Sequence, residues 1–94
     1  MGEMSIFKYQ VQITDYFAID MPLGAKILTV QTQNGHPFIW ALVNPEKPDE
    51  ERRYFRVYGT GRPFYGGKYI GTFQTPPFVW HLFEEVKPFK HKVR

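Results

Sequence analysis

The sequence predicts an all-β domain, a small antiparallel meander of six to seven strands folded as a sandwich or open barrel. Three observations carry this reading. Apolar residues recur at every second position through most of the chain, and no stretch of a dozen residues spaces them by three and four without a proline or glycine interrupting it. Turn-forming residues also punctuate the sequence at short intervals.

Each element has its own signal. From Ser5 to Ile13, Phe7, Tyr9, Val11 and Ile13 alternate with Lys8, Gln10 and Gln12, the period of a half-buried strand. Thr14 to Asp20 continues with Phe17 and Ile19, and Met21-Pro22-Leu23-Gly24 reads as the turn that stops it. Lys26 to Gln33 sets Leu28, Val30 and Thr32 on one face and Ile27, Thr29, Gln31 and Gln33 on the other. Asn34-Gly35 is the signature of a type I′ hairpin, because both central residues must accept positive φ. The return strand is His36 to Val43. Asn44 to Glu51, with two prolines and no apolar side chain, is an exposed acidic loop. Arg53 to Gly59 is the next strand, Gly59 to Gly67 a glycine-rich excursion, and Lys68 to Gln74 and Phe78 to Glu84 two further strands around Thr75-Pro76-Pro77. Residues 86–94 form a basic, proline-broken tail expected to fray.

Length and composition bound what such a domain can do. Ninety-four residues, 43% hydrophobic and 22% charged, make one domain close to the lower size limit for a self-sufficient core. Without cysteine there is no disulfide, thiolate metal site or cysteine nucleophile, and a cytoplasmic setting fits. The apolar runs are too short to cross a bilayer, and the first ten residues lack the basic-then-apolar pattern of an export signal. Exposed edge strands and surface rings in so small a β domain point to a homo-oligomer. Trp40 and Trp80, between apolar neighbours of matching parity, read as core anchors.

Catalytic patterns are missing. His36, His81 and His91 form no metal-binding spacing, so no metal or other cofactor is expected. Ser5 is the single serine and lies in no nucleophile elbow. Asp49-Glu50-Glu51 and Glu84-Glu85 are sequence neighbours that do not face each other across a cleft, and both read as solvated charge. The expectation is a protein that is not an enzyme.

Charge gives the functional signal. Residues 1–51 carry three lysines against seven acids, whereas residues 52–94 carry nine basic residues against two acids. From Arg52 to Phe83 there are five basic residues, no acid, and a concentration of rings that includes Tyr54, Tyr58, Phe64, Tyr65 and Tyr69. Such a mixture suits an anionic, ring-bearing partner; the alternative is a solvated face balanced in space by Asp49, Glu50 and Glu51. The candidate ligand-binding set centres on Tyr58-Gly59-Thr60-Gly61-Arg62. Its glycines allow adjacent backbone N–H groups to point into one concavity, Thr60 adds a hydroxyl and Arg62 a phosphate-matching fork. The alternative there is a glycine turn without a ligand. Arg56 beside Tyr58, Lys68 closing the loop, Tyr69, the amide of Gln74, and His81 complete the set, His81 reading alternatively as a hydrogen-bonded core or interface histidine.

Met21 to Leu28, Val30 to Gly35, Trp40 to Val43, Gly59-Thr60-Gly61, Tyr69 to Gln74 and Phe78 to Glu84 together give a chain that resembles a family of small uncharacterised bacteriophage and prophage proteins. The resemblance covers nearly the whole chain and transfers no catalytic residues. It implies a phage setting, in which small β-rich proteins include sponges that sequester the cyclic nucleotide or ADP-ribose-derived messengers of bacterial immunity. A non-enzymatic anti-defence protein binding a small anionic nucleotide is therefore the leading expectation. A virion accessory or assembly protein working through protein contacts, and a small single-stranded nucleic-acid binder, are the alternatives.

Overall fold

The computed structural model describes residues 3–86 and holds seven strands and no helix among them. These are β1 (Ser5–Gln10), β2 (Tyr16–Pro22), β3 (Lys26–Gln33), β4 (His36–Val43), β5 (Glu50–Gly59), β6 (Lys68–Thr75) and β7 (Phe78–Glu85). All pairings are antiparallel, in a three-stranded sheet of order β1-β4-β3 and a four-stranded sheet of order β2-β5-β7-β6. The arrangement is sandwich-like, and the two sheets do not close into a barrel. Of the predicted tail, residues 86–94, all but Val86 lie outside the described residues.

Strand parity builds the core. Ile39, Ala41 and Val43 of β4 and Val30 of β3 face Phe17 and Met21 of β2, Phe55 and Val57 of β5, Phe73 of β6 and Leu82 of β7, all buried. The β3–β4 hairpin turns through Asn34 and Gly35 at φ 52° and 82°, the pair of positive values a type I′ turn requires. Two bulges, at Leu28 and at Ile70, each add one residue to an edge strand. The first lets Ile27 and Val30 both pack on the core while Leu28 turns to solvent. The sheets come closest where β3 passes β6: a Cβ on Gly71 would lie 2.8 Å from Val30 Cγ1, so only glycine fits without displacing its neighbour.

Several expectations need correction. Met21 is not a turn residue; β2 runs through it and buries it completely, and the turn lies one step later, with the Ala25 N–H donating to the Pro22 carbonyl and Gly24 at φ 84°. β1 ends at Gln10, although Val11 is buried, and Ile13 is exposed in the connection to β2. Glu50 and Glu51 belong to β5 and not to the acidic loop. Trp40 lies on the solvent side of the three-stranded sheet, because Ile39 and Ala41 take the core side of β4; its indole N–H is buried with no hydrogen-bond partner among the described residues. Trp80 packs against the core and donates its indole N–H to Thr75 Oγ1 at 2.8 Å. No helix among the described residues is long and apolar enough to cross a membrane.

Candidate functional site

β2 begins its pairing at Tyr16 opposite Arg56, whereas β5 continues to Gly59, held on its other side by β7 up to the Gly59–Trp80 pair. The central strand therefore overhangs its neighbour. The connection after β1 covers part of the overhang, through the Val57 N–H donating to the Asp15 carbonyl at 3.3 Å. What remains open is a groove of about 820 Å³, within the range of small-ligand sites. Ile13, Thr14 and Asp15 form one wall, Gly59, Thr60, Arg62, Pro63 and Tyr65 another, and Pro77 to Trp80 the end.

Five of the ten predicted binding residues line this groove: Arg56, Tyr58, Gly59, Thr60 and Arg62. Their availability differs from expectation. Tyr58 is buried, and its hydroxyl donates to the Gly66 carbonyl and accepts from the Tyr65 N–H, both at 3.0 Å. It anchors its own loop, with Phe64 and Phe83 packed on the ring. Arg56 is paired with Glu85 and lies over the rings of Tyr16 and Tyr65 at 5.0 and 5.8 Å. The Glu85 carboxylate raises its already high pKa, chiefly by accepting its hydrogen bond, so Arg56 is a permanently charged but neutralised cation. The expected concavity of adjacent N–H groups does not form, because the Thr60 N–H donates to Val79 O and the Arg62 N–H to Gly59 O. The Arg62 guanidinium is left in the groove without a partner among the described residues, and Gly61, predicted to belong to the site, does not line the groove. Beside Arg62 stand Tyr65 and Phe78, 72% and 57% exposed.

The acid-free stretch is not acid-free in space. Arg52 is bridged to Asp20 at 2.9 Å. Arg53 grips Glu84, with Nη2 donating to Oε1 at 3.1 Å, and donates to the Ala25 carbonyl at 2.8 Å; the Glu84 hydrogen bond raises its pKa. Glu84 and Glu85, read from sequence as solvated, are thus ion-pair partners supplied by β7. Of the five basic residues, Arg62 and Lys68 alone make no ion pair among the described residues. Asp15 also puts a carboxylate-bearing residue in the groove wall.

The other predicted residues go elsewhere. Lys68 does not close the loop over the groove; with Tyr69 it lines a second, smaller hollow beside Arg53 and Glu84. Gln74 is exposed and lines neither. His81 sits behind Thr60 in a hydrogen-bonded row. Tyr69 Oη is 2.6 Å from Thr72 Oγ1, which is 3.0 Å from His81 Nδ1, and His81 Nε2 is 2.8 Å from Thr60 Oγ1. Thr60 Oγ1 in turn reaches the Val79 carbonyl at 3.5 Å. That carbonyl can only accept, so a consistent direction for neutral His81 is Tyr69 to Thr72 to Nδ1 and Nε2–H to Thr60. His81 therefore positions Thr60. Sequence reasoning missed Asp15 and Phe78, which carry no local motif and reach the groove only through the overhang. No three His, Asp or Glu side chains among the described residues gather into a set able to hold a metal ion.

A family model described as "Domain of unknown function (DUF7352)" matches residues 3–93 of the chain. No curated protein and no solved structure matches it significantly.

Proposed function

The chain belongs to the DUF7352 family, and we propose that it is a binding protein and not a catalyst, holding a small nucleotide-type ligand in the groove beside the β5 overhang. The observation that carries this reading is the placement of one unspent guanidinium, Arg62, in a groove that also presents the rings of Tyr65, Phe78 and Trp80. The guanidinium fits a phosphate and the rings fit a base. With Arg56 neutralised by Glu85 and Asp15 in the wall, the groove suits a ligand that brings a single phosphate to Arg62 better than a densely charged one. In the phage setting that the sequence resemblance implies, retention of such a ligand is sequestration of a cyclic-nucleotide or ADP-ribose-derived immune messenger. The Arg62→Ala variant should keep its fold and lose binding; unchanged binding would sink the site.

A second reading has its own observation. Phe64 and Tyr69 expose 60% and 56% of their surface around the half-buried Phe83, outside the groove that Tyr65 lines. This supports a protein-contact role, as in a virion accessory protein. Single-stranded nucleic acid loses support, because Arg52, Arg53 and Arg56 each already hold a carboxylate. Binding that collapses as salt rises would restore it.

A further inference from the structure

We propose that the free edge of β1 is a self-association surface, at which two copies of the chain pair antiparallel about a two-fold axis through Phe7 and join their three-stranded sheets into one. The two sheets present four edge strands, β1, β3, β2 and β6. Exposed edges are templates for further pairing unless bulges, prolines or charges blunt them. β3 and β6 each carry a bulge and approach each other at Val30 and Gly71. β2 ends in Pro22, which has no N–H to donate to a further strand.

β1 has none of these devices. It pairs with β4 from Ser5 to Gln10 without a register shift, contains no proline, and has no partner on its other side among the described residues. Ile6 and Phe7, on opposite faces, are 61% and 39% exposed. Its one charge, Lys8, is drawn back over its own sheet: Nζ donates to Gln33 Oε1 on β3 at 2.8 Å and lies 4.6 Å from the ring centre of Phe38. The residue that would guard the edge is thus occupied elsewhere.

Register identifies the occupant. A two-fold axis normal to the sheet sets residues of the same face opposite one another, so it must pass through a residue position. Axes at Phe7 and at Lys8 give equally long overlaps, Ser5 to Tyr9 or Ile6 to Gln10. The second sets lysine directly against lysine, which is destabilising. The first sets Phe7 against the partner's Phe7 and Ile6 against the alkyl stem of the partner's Lys8. Because β1 is the one unblunted edge among the described residues, the pairing consumes it and stops at two chains. Strand pairing over this length buries well under the roughly 800 Å² per partner of a standard interface, so the dimer is concentration-dependent.

The chain has no cysteine, so single cysteines can be introduced cleanly. Under mild oxidation Phe7→Cys should give a disulfide-linked dimer, whereas Lys8→Cys and, on the β2 edge, Tyr16→Cys should not. By sedimentation equilibrium the unmodified protein should move from the monomer mass toward twice that mass as concentration rises, and the double variant Ile6→Lys, Phe7→Lys should stay monomeric with an unchanged β-sheet spectrum. A monomer mass at every concentration, or cross-linking at position 8 or 16 as fast as at position 7, would overturn the proposal.

Discussion

Replacing Gly71 by alanine tests the meeting of the two sheets. The new Cβ would lie 2.8 Å from Val30 Cγ1, against the 3.5–4.0 Å of an ordinary carbon contact. Val30 is 3% exposed and β-branched, so it has little room to retreat. Overpacking of this kind costs about 1–3 kcal/mol, and the lost flexibility of the unfolded glycine returns about 0.5–1 kcal/mol. The net expectation is a destabilisation of about 1–2 kcal/mol, which at a urea slope of about 1.5 kcal/mol/M lowers the midpoint by about 1 M. Val30→Ala removes the obstructing methyl at its own cavity cost. In the double variant the two losses should be less than additive by about 1–2 kcal/mol, since the clash exists only when both groups are present. Equilibrium unfolding of the four proteins, with slopes compared, supplies the cycle. A Gly71→Ala protein as stable as its parent, or a cycle with no coupling, would refute the close approach of β3 and β6.

Three further outcomes are expected. Glu84→Gln should cost about 2 kcal/mol in denaturant unfolding, because both side chains of the Arg53–Glu84 pair are only 15% exposed and Arg53 would keep Glu51 as a weaker partner; Glu85→Gln, at the more open Arg56, should cost about 1 kcal/mol or less. Asp20 has its pKa lowered, first by the hydrogen bond from Arg52, so its contribution to stability is present above the unfolded carboxyl value of about 3.9 and is lost as pH falls through the lower folded value. Asp20→Asn should therefore narrow its gap to the parent in unfolding midpoint as the solution is acidified, and a gap that stays constant would contradict the assignment. His81→Leu should cost only about 1 kcal/mol, because Thr60 and Thr72 can turn to water; a loss above about 3 kcal/mol would mean that His81 is a core residue.

Local signals in the sequence were enough for the hairpin but not for the site. Lys26–Gln33 and His36–Val43 were legible to the residue because Asn34-Gly35 dictates its own φ angles and both flanking strands keep a clean period next to the turn. Met21 was obscured by the proline after it, since a proline ending an edge strand looks the same in sequence as one opening a turn. The bulges at Leu28 and Ile70 are invisible to a strict period of two, because each resets the parity of the residues after it. Charge was the largest misreading. The stretch from Arg52 to Phe83 lacks acids along the chain, yet the β5–β7 register sets Tyr54 opposite Glu85 and Phe55 opposite Glu84, within two residues of Arg56 and of Arg53. Cross-strand neutralisation of this kind depends on which strands are adjacent, and no run of residues encodes that. Arg62, in the loop after β5, is outside the β5–β7 register that supplies Glu84 and Glu85, and its guanidinium meets no carboxylate among the described residues.

The central claim is retention of a small nucleotide-type ligand at Arg62 without chemistry. Its most direct test is to incubate the protein with cyclic dinucleotides, cyclic trinucleotides and cyclic ADP-ribose isomers, remove the unbound compounds, release the remainder by heat and identify it. The account predicts that a ligand returns intact from the parent protein and is not retained by Arg62→Ala. A chemically altered ligand, equal retention by the variant, or no retention of any of these compounds would contradict it.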